Sequence, residues 1–160
     1  MKENFKTLNA DSEHQILFVF AGVRRILNRM AVEKFKAINL GFQQAIILRE
    51  LVFENTPTST ELALKTTTDP AALSRIISSL EKKGFLKRKN MKEDRRSWSL
   101  ECTASGKTIA EQVNTIYEEI DDLLKESLSQ KEQGEFVHLL RKIADFLTKK
   151  EIYDKRKSES

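Results

Sequence analysis

Ten basic side chains fall within residues 65–96: Lys65, Arg75, Lys82, Lys83, Lys87, Arg88, Lys89, Lys92, Arg95 and Arg96. Four acids share the segment, Asp69, Glu81, Glu93 and Asp94, so it carries +6 and the remaining residues −2 within a chain total of +4. A single cationic block on an otherwise slightly acidic chain is the footprint of a polyanion binder. It is equally the footprint of a solvated surface that happens to be basic, and charge alone does not separate the two.

Helical phase divides the block. Around a helix turning about 100° per residue, Leu73, Ile76, Ile77 and Leu80 fall on one side and Ala71, Arg75, Ser78 and Lys82 opposite, with Ser74 and Ser79 on the flanks. The outer stripe holds no bulky apolar residue and no acid, which is what a helix entering the major groove requires. Arg75 can grip guanine O6 and N7 in a bidentate way, and Ala71 or Ala72 can meet a thymine methyl. Ser74, Ser78 and Lys82 suit phosphates or polar base edges. The plain alternative is a solvated helix face; three serines, which are mediocre helix formers, favour the functional reading. The charged run Asn90-Met91-Lys92-Glu93-Asp94-Arg95-Arg96 is a second element. Arginine suits a narrow minor groove because its weakly hydrated guanidinium enters negative potential at low desolvation cost. Asp94, beside Arg95 and Arg96, can hold one guanidinium and organise the tip. A flexible charged turn explains the same run, and charge does not choose. The bases between stripe and loop, within residues 82–89, read as phosphate contacts or plain solvation.

Other chemistries find no constellation. Cys102 is the only cysteine, which excludes an intrachain disulfide and points to a reducing compartment. The two histidines, His14 and His138, are far apart and without a Cys/His cluster, so no metal site is expected. Glu118, Glu119, Asp121 and Asp122 read as a solvated helix face. No phosphate-binding glycine loop or Ser/His/Asp order is present, so neither an enzyme nor a cofactor is expected. No apolar stretch approaches 18 residues, and residues 1–11 lack the apolar core of a secretory signal; a soluble, cytoplasmic protein is the expectation.

The elements that would position these residues follow from periodicity. Ile16, Val19, Phe20, Val23, Ile26, Leu27 and Met30 predict a long amphipathic helix over roughly residues 11–37. Phe42, Ala45, Ile46, Leu48 and the run 51–53 predict a second, more deeply buried helix that ends before Asn55-Thr56-Pro57. Thr58-Ser59-Thr60-Glu61 reads as a capping box opening a short third helix, which stops in Thr66-Thr67-Thr68. Asp69-Pro70 restarts the chain as a fourth helix and Gly84 ends it. Residues 85–89 and 97–103 then read as two strands around the charged loop, with Trp98, Leu100 and Cys102 on the buried face. Thr103 can cap a fifth helix running to about Ser127, with Ile109, Val113, Ile116, Tyr117, Ile120, Leu123 and Leu124 as its stripe. Ser129-Gln130-Lys131-Glu132 is a capping box for a sixth, and the charged tail from Lys149 is expected to fray.

The run Asp94-Arg95-Arg96-Ser97-Trp98-Ser99-Leu100-Glu101-Cys102-Thr103-Ala104-Ser105-Gly106 resembles the wing signature of MarR-type transcriptional regulators, D-x-R, three residues, then L-x-L-T-x-x-G. Glu61-Leu62-Ala63, Leu73-Ser74-Arg75-Ile76-Ile77 and Leu80-Glu81-Lys82-Lys83-Gly84-Phe85 are similar to that family's helix-turn-helix. The resemblance implies a triangular homodimer in which the first, fifth and sixth helices intertwine, the fourth reads the major groove, Asp94 braces the wing, and Arg96, with Arg95 beside it, enters the minor groove. It also implies a small-molecule pocket between the two lobes, which Phe18, Phe42, Phe53 or Tyr117 can line; the same aromatics can equally be core. Two departures stand out. Cys102 replaces the usual leucine, and the relatives that sense oxidation carry their cysteine in the first helix, which has none here. Ala71-Ala72 stands where polar residues are common, which leaves the operator sequence open.

The expected fold is thus mainly α with a small β-hairpin wing, a winged helix-turn-helix lobe at residues 41–103 joined to a helical dimerisation lobe from residues 1–40 and 104–150, with a charged tail at 151–160. The expected activity is sequence-specific recognition of double-stranded DNA by a homodimeric repressor on a pseudo-palindrome, relieved by a small-molecule effector. The competing reading is a helical protein-interaction dimer whose winged lobe does not bind DNA.

Overall fold

The structure, a computed structural model, describes residues 15–53, 58–90 and 98–158. Its elements run α1 (Gln15–Ala37), α2 (Phe42–Phe53), α3 (Ser59–Thr66), α4 (Pro70–Lys82), β1 (Leu86–Asn90), β2 (Trp98–Cys102), α5 (Ala104–Glu126) and α6 (Gln130–Ser158). This is the mainly helical winged helix-turn-helix order expected from periodicity. The expected start of the first helix at residues 11–14, the Asn55-Thr56-Pro57 break and the charged loop at residues 91–97 lie outside the described residues.

Residues Met1–Ile120 and Asp121–Ser160 form two compact units, with α5 crossing the boundary. The first has a continuous core: Phe35 from α1, Ile47 and Leu48 from α2, Leu62 from α3, Leu73 and Leu80 from α4, and Val113 from α5 are fully buried. At about 25 cal/mol per Å² of apolar surface, each large side chain there contributes on the order of 1.5–3 kcal/mol. In the second unit no described side chain is buried, and Phe136, Leu139, Ile143, Phe146 and Leu147 lie exposed along α6. The start of α1 is similarly uncovered, with Ile16 80% and Phe18 58% exposed.

One expectation is corrected. The chain does not fray at Lys149; α6 continues to Ser158. Residues 149–158 contain neither glycine nor proline, and lysine, glutamate and arginine are good helix formers, so a high charge density there does not end the helix. Its start is held by the expected box: Ser129 N and Oγ donate to Glu132 Oε2 at 2.8 and 2.6 Å.

The hairpin is antiparallel with Leu86 opposite Cys102 and Arg88 opposite Leu100. Leu100 is buried and Cys102 half-buried, as alternation predicts; the side chain of Trp98 lies outside the description. A polar lock ties this hairpin to α4 and α5. Gly84 ends α4 at φ 73°, a left-handed conformation that glycine adopts without a Cβ penalty. The Thr103 hydroxyl donates to the Gly84 carbonyl (2.7 Å) and accepts from Gly106 N (3.0 Å), capping α5 as predicted. Ser105 Oγ donates to the same carbonyl at 3.0 Å, and Thr103 N donates to the Phe85 carbonyl at 3.0 Å. Gly106 passes so close beneath Phe85 that a Cβ would lie 1.8 Å from its carbonyl oxygen. The T-x-x-G spacing in the sequence thus has a local physical cause.

Candidate nucleic-acid interface

The helix-turn-helix is built from caps. Thr58 precedes α3, its Oγ1 accepting from Glu61 N (3.2 Å) and donating to Glu61 Oε2 (2.8 Å). The residue also bridges to Ser99 of β2, so the start of α3 sits against the hairpin. Asp69 caps α4 by accepting from Ala71 N (2.9 Å) and Ala72 N (3.0 Å), with Pro70 in the first turn where its missing N–H costs nothing. Such a cap stabilises a helix by about 1 kcal/mol. Leu73, Ile77 and Leu80 are buried and Ile76 half-buried, which fixes the rotation of α4.

The opposite face therefore looks outward. Ala71, Ser74, Arg75 and Lys82 are exposed; Ala72 and Ser78 are half-buried. Ser74, Arg75, Ser78, Ser79 and Lys82 together line a shallow depression of about 370 Å³. Neither Arg75 nor Lys82 has an ion pair or hydrogen bond to another described residue. Asp94, Arg95 and Arg96, the expected wing residues, lie outside the described residues.

The bases between stripe and wing are engaged by the protein. Lys83 Nζ donates to the Asn39 carbonyl at the end of α1 (2.5 Å) and to Gln44 Oε1 (3.0 Å). Lys87 pairs with Glu101 across the hairpin at 3.6 Å. Arg88 pairs with Glu81 at 3.2 Å and donates to Ser78 Oγ at 3.3 Å. Gln44 donates through Nε2 to Ser79 Oγ at 2.8 Å. Sequence reasoning missed Gln44, Lys83 and Arg88 as a group. Each is a polar residue at an element end or on a strand, where no apolar period marks it, and only the fold brings them to α4. A second hollow, about 400 Å³, lies between α3, α4 and the hairpin over Leu73, Ile77 and Leu100.

The aromatic residues divide. Phe42 and Tyr117 both pack on the buried Phe35, at centroid distances of 6.2 and 5.6 Å, and the Arg49 guanidinium sits 5.7 Å from the Tyr117 ring centre. Burial pushes the Tyr117 phenol up; nearby Arg49 opposes this and Glu50 adds to it. Phe18 and Phe53 are exposed, by 58% and 44%. Burial also pushes the Cys102 thiol up, opposed by Lys107. Among the described residues no helix is long and apolar enough to cross a membrane.

Comparison with known proteins gives this geometry a family. The MarR family model matches residues 43–98, which run from α2 through α3, α4 and β1 to the first residue of β2. An uncharacterized HTH-type transcriptional regulator of Bacillus subtilis, YwaE, is 26% identical over 142 residues, covering 89% of this chain and 83% of that protein. Two solved structures share the fold. One is a mutant of MarR from E. coli complexed with operator DNA, with TM-score 0.71 and 22% identity over 84% of this chain and 99% of that one. The other is the S. aureus MepR-DNA complex, with TM-score 0.71 and 20% identity over 80% of this chain and 95% of that one. The winged helix-turn-helix segment, residues 43–98, matches the MarR family, and the helices on either side of it complete a fold of the same type as those two structures.

Proposed function

We propose that the protein is a homodimeric repressor that binds a pseudo-palindromic DNA operator and is released from it by a small-molecule effector. The observation that carries the reading is the outer face of α4, where Arg75 and Lys82 are exposed beside small side chains and without a partner among the described residues. In this reading Ala71, Ala72, Ser74, Arg75, Ser78 and Lys82 enter the major groove. Arg95 and Arg96 enter the flanking minor groove, with Asp94 organising the wing. The DNA carried by the MarR and MepR neighbours supports the partner class. The uncovered apolar side chains of α1 and of α6, each too extensive for a solvated helix, support a second copy as their cover. A dimer of this kind places half-sites roughly one helical turn apart. The Phe35, Phe42 and Tyr117 cluster is the proposed effector region, with Phe18 and Phe53 as further lining residues, and the compartment is the cytoplasm, where its DNA lies.

The test is selection of bound duplexes from a random pool, followed by affinity measurements at matched salt. A palindromic consensus should emerge, and binding should weaken steeply as salt rises, because phosphate contacts release counterions. Arg75→Ala should cost about tenfold and relax one base position. Arg96→Ala should weaken binding with the dimer still folded. An Arg96→Ala protein that binds as tightly as the parent refutes the wing assignment. Absence of any salt-sensitive complex refutes DNA binding and favours the protein-interaction dimer.

A further inference from the structure

The outer face of α4 carries two serines whose hydroxyl direction is set by the protein. Gln44 is the clearer case. Its side-chain oxygen accepts from Gly41 N at 3.1 Å and from Lys83 Nζ at 3.0 Å. Both groups can only donate, so they fix which end of the amide is oxygen. The NH2 end must then face Ser79, 2.8 Å away, and it too can only donate. Ser79 Oγ is therefore the acceptor and its own hydrogen points elsewhere. Ser78 is held in the same sense by a guanidinium, which has no acceptor: Arg88 Nη2 donates to its Oγ at 3.3 Å, while Arg88 Nε is fixed by Glu81 at 3.2 Å. Serines within helices commonly return their hydrogen to the carbonyl four residues back. Neither Ser78 nor Ser79 does so, and neither donates to any other described residue.

Both line the depression of about 370 Å³ that also holds Ser74, Arg75 and Lys82. Arginine and lysine are donors only, and the Ser78 and Ser79 hydrogens are not taken up by another described residue, so four of the five polar groups around it have hydrogens to offer. We infer that α4 presents a donor-rich surface to the major groove, with Ser78 and Ser79 as guanine-selecting residues and Arg88 and Gln44 as the positioning residues that hold them so. Guanine offers two adjacent acceptors there, N7 and O6, whereas adenine sets an N6 donor beside its N7 and cytosine offers only a donor. A donor-rich face sets donor against donor at those two bases. Ser79 is the residue that helical phase alone leaves on the flank.

The inference rests on the DNA-binding reading above, and its test separates the two. With a duplex recovered by selection, each guanine is replaced singly by 7-deazaguanine, which removes the N7 acceptor and keeps the base pair. At least one such replacement in each half-site should weaken binding by about tenfold. The variants then assign the contact. Gln44→Glu keeps an acceptor for Gly41 N and Lys83 but offers Ser79 an acceptor in place of a donor, so the Ser79 hydrogen turns inward. The guanine to 7-deazaguanine affinity ratio should then fall toward one at the position read by Ser79. Because both duplexes carry the same charge, the added carboxylate cancels in that ratio. Ser79→Ala should abolish the same ratio, and adding Gln44→Glu to it should change the ratio no further. A folded Gln44→Glu protein that keeps the ratio overturns the hydroxyl assignment, as does indifference of the selected duplex to every 7-deaza replacement. Failure to select any duplex overturns the DNA-binding reading and this inference with it.

Discussion

Replacing Gly106 with alanine tests the lock between hairpin and α5. The new Cβ would lie 1.8 Å from the Phe85 carbonyl oxygen and 2.8 Å from its carbon, both backbone atoms that no side-chain rotation can clear. An ordinary carbon–oxygen contact is about 3.3 Å, so the first turn of α5 and residue 85 must separate by roughly 1.5 Å. That movement opens the Thr103 N bond to Phe85 and the Thr103 and Ser105 hydroxyl bonds to Gly84. At about 1 kcal/mol net for each of the three bonds, offset by about 1 kcal/mol of gained helix propensity, the loss is about 2 kcal/mol. For a chain of this length each kcal/mol lowers Tm by about 2–4 °C, so a fall of about 4–8 °C is expected. Thermal unfolding followed by far-UV circular dichroism at fixed protein concentration reads it directly. Gly134→Ala is the control: nothing lies within 4 Å of its Cβ position on α6, so the propensity gain should appear alone as a small rise in Tm. If the two variants rise together, the close approach beneath Phe85 does not exist.

Two further outcomes concern titratable groups. The Cys102 thiol, pushed up by burial, should react with a disulfide reagent at mildly alkaline pH more slowly in the folded protein than in urea, and equal rates would remove the protected strand position. Hydrogen bonds from the Ser129 hydroxyl and backbone hold the Glu132 carboxyl below the usual carboxylate range. A depressed folded value means that this cap contributes above the unfolded midpoint and is lost as pH falls through the folded one. An NMR titration should show Glu132 ionising at lower pH than an exposed glutamate, and Ser129→Ala should move it back up; an unmoved midpoint refutes the capping box.

The local chemistry of the chain was legible wherever the signal lay within a few residues. Thr58, Asp69 and Ser129 announce their helices because a cap needs only its own first turn, and Gly84 announces an end because only a left-handed residue fits there. Leu73, Ile77 and Leu80 announce the buried face of α4 through their period. What stayed hidden was long-range. Nothing near Gln44 indicates that it reaches Ser79, 35 positions away, and nothing near Lys83 indicates that it is held by Asn39 and Gln44 instead of facing solvent. The end of α6 was missed for a different reason, since a charged tail and a charged helix have the same composition.

The turn between α3 and α4 has a mechanical consequence. Thr67 occupies a left-handed conformation, φ 49°, which costs a β-branched residue about 1 kcal/mol or more. Its neighbours hold it there: Thr66 Oγ1 donates to the Leu62 carbonyl at 2.7 Å and lies 2.8 Å from Thr68 Oγ1, while Thr68 N donates to the Ala63 carbonyl at 3.0 Å. A glycine here would swing freely; a strained threonine clamped on both sides does not hinge. α3 and α4 consequently behave as one stiff lever, and any displacement of α2 reaches Arg75 as a rotation of the whole lever, undamped by the loop within it.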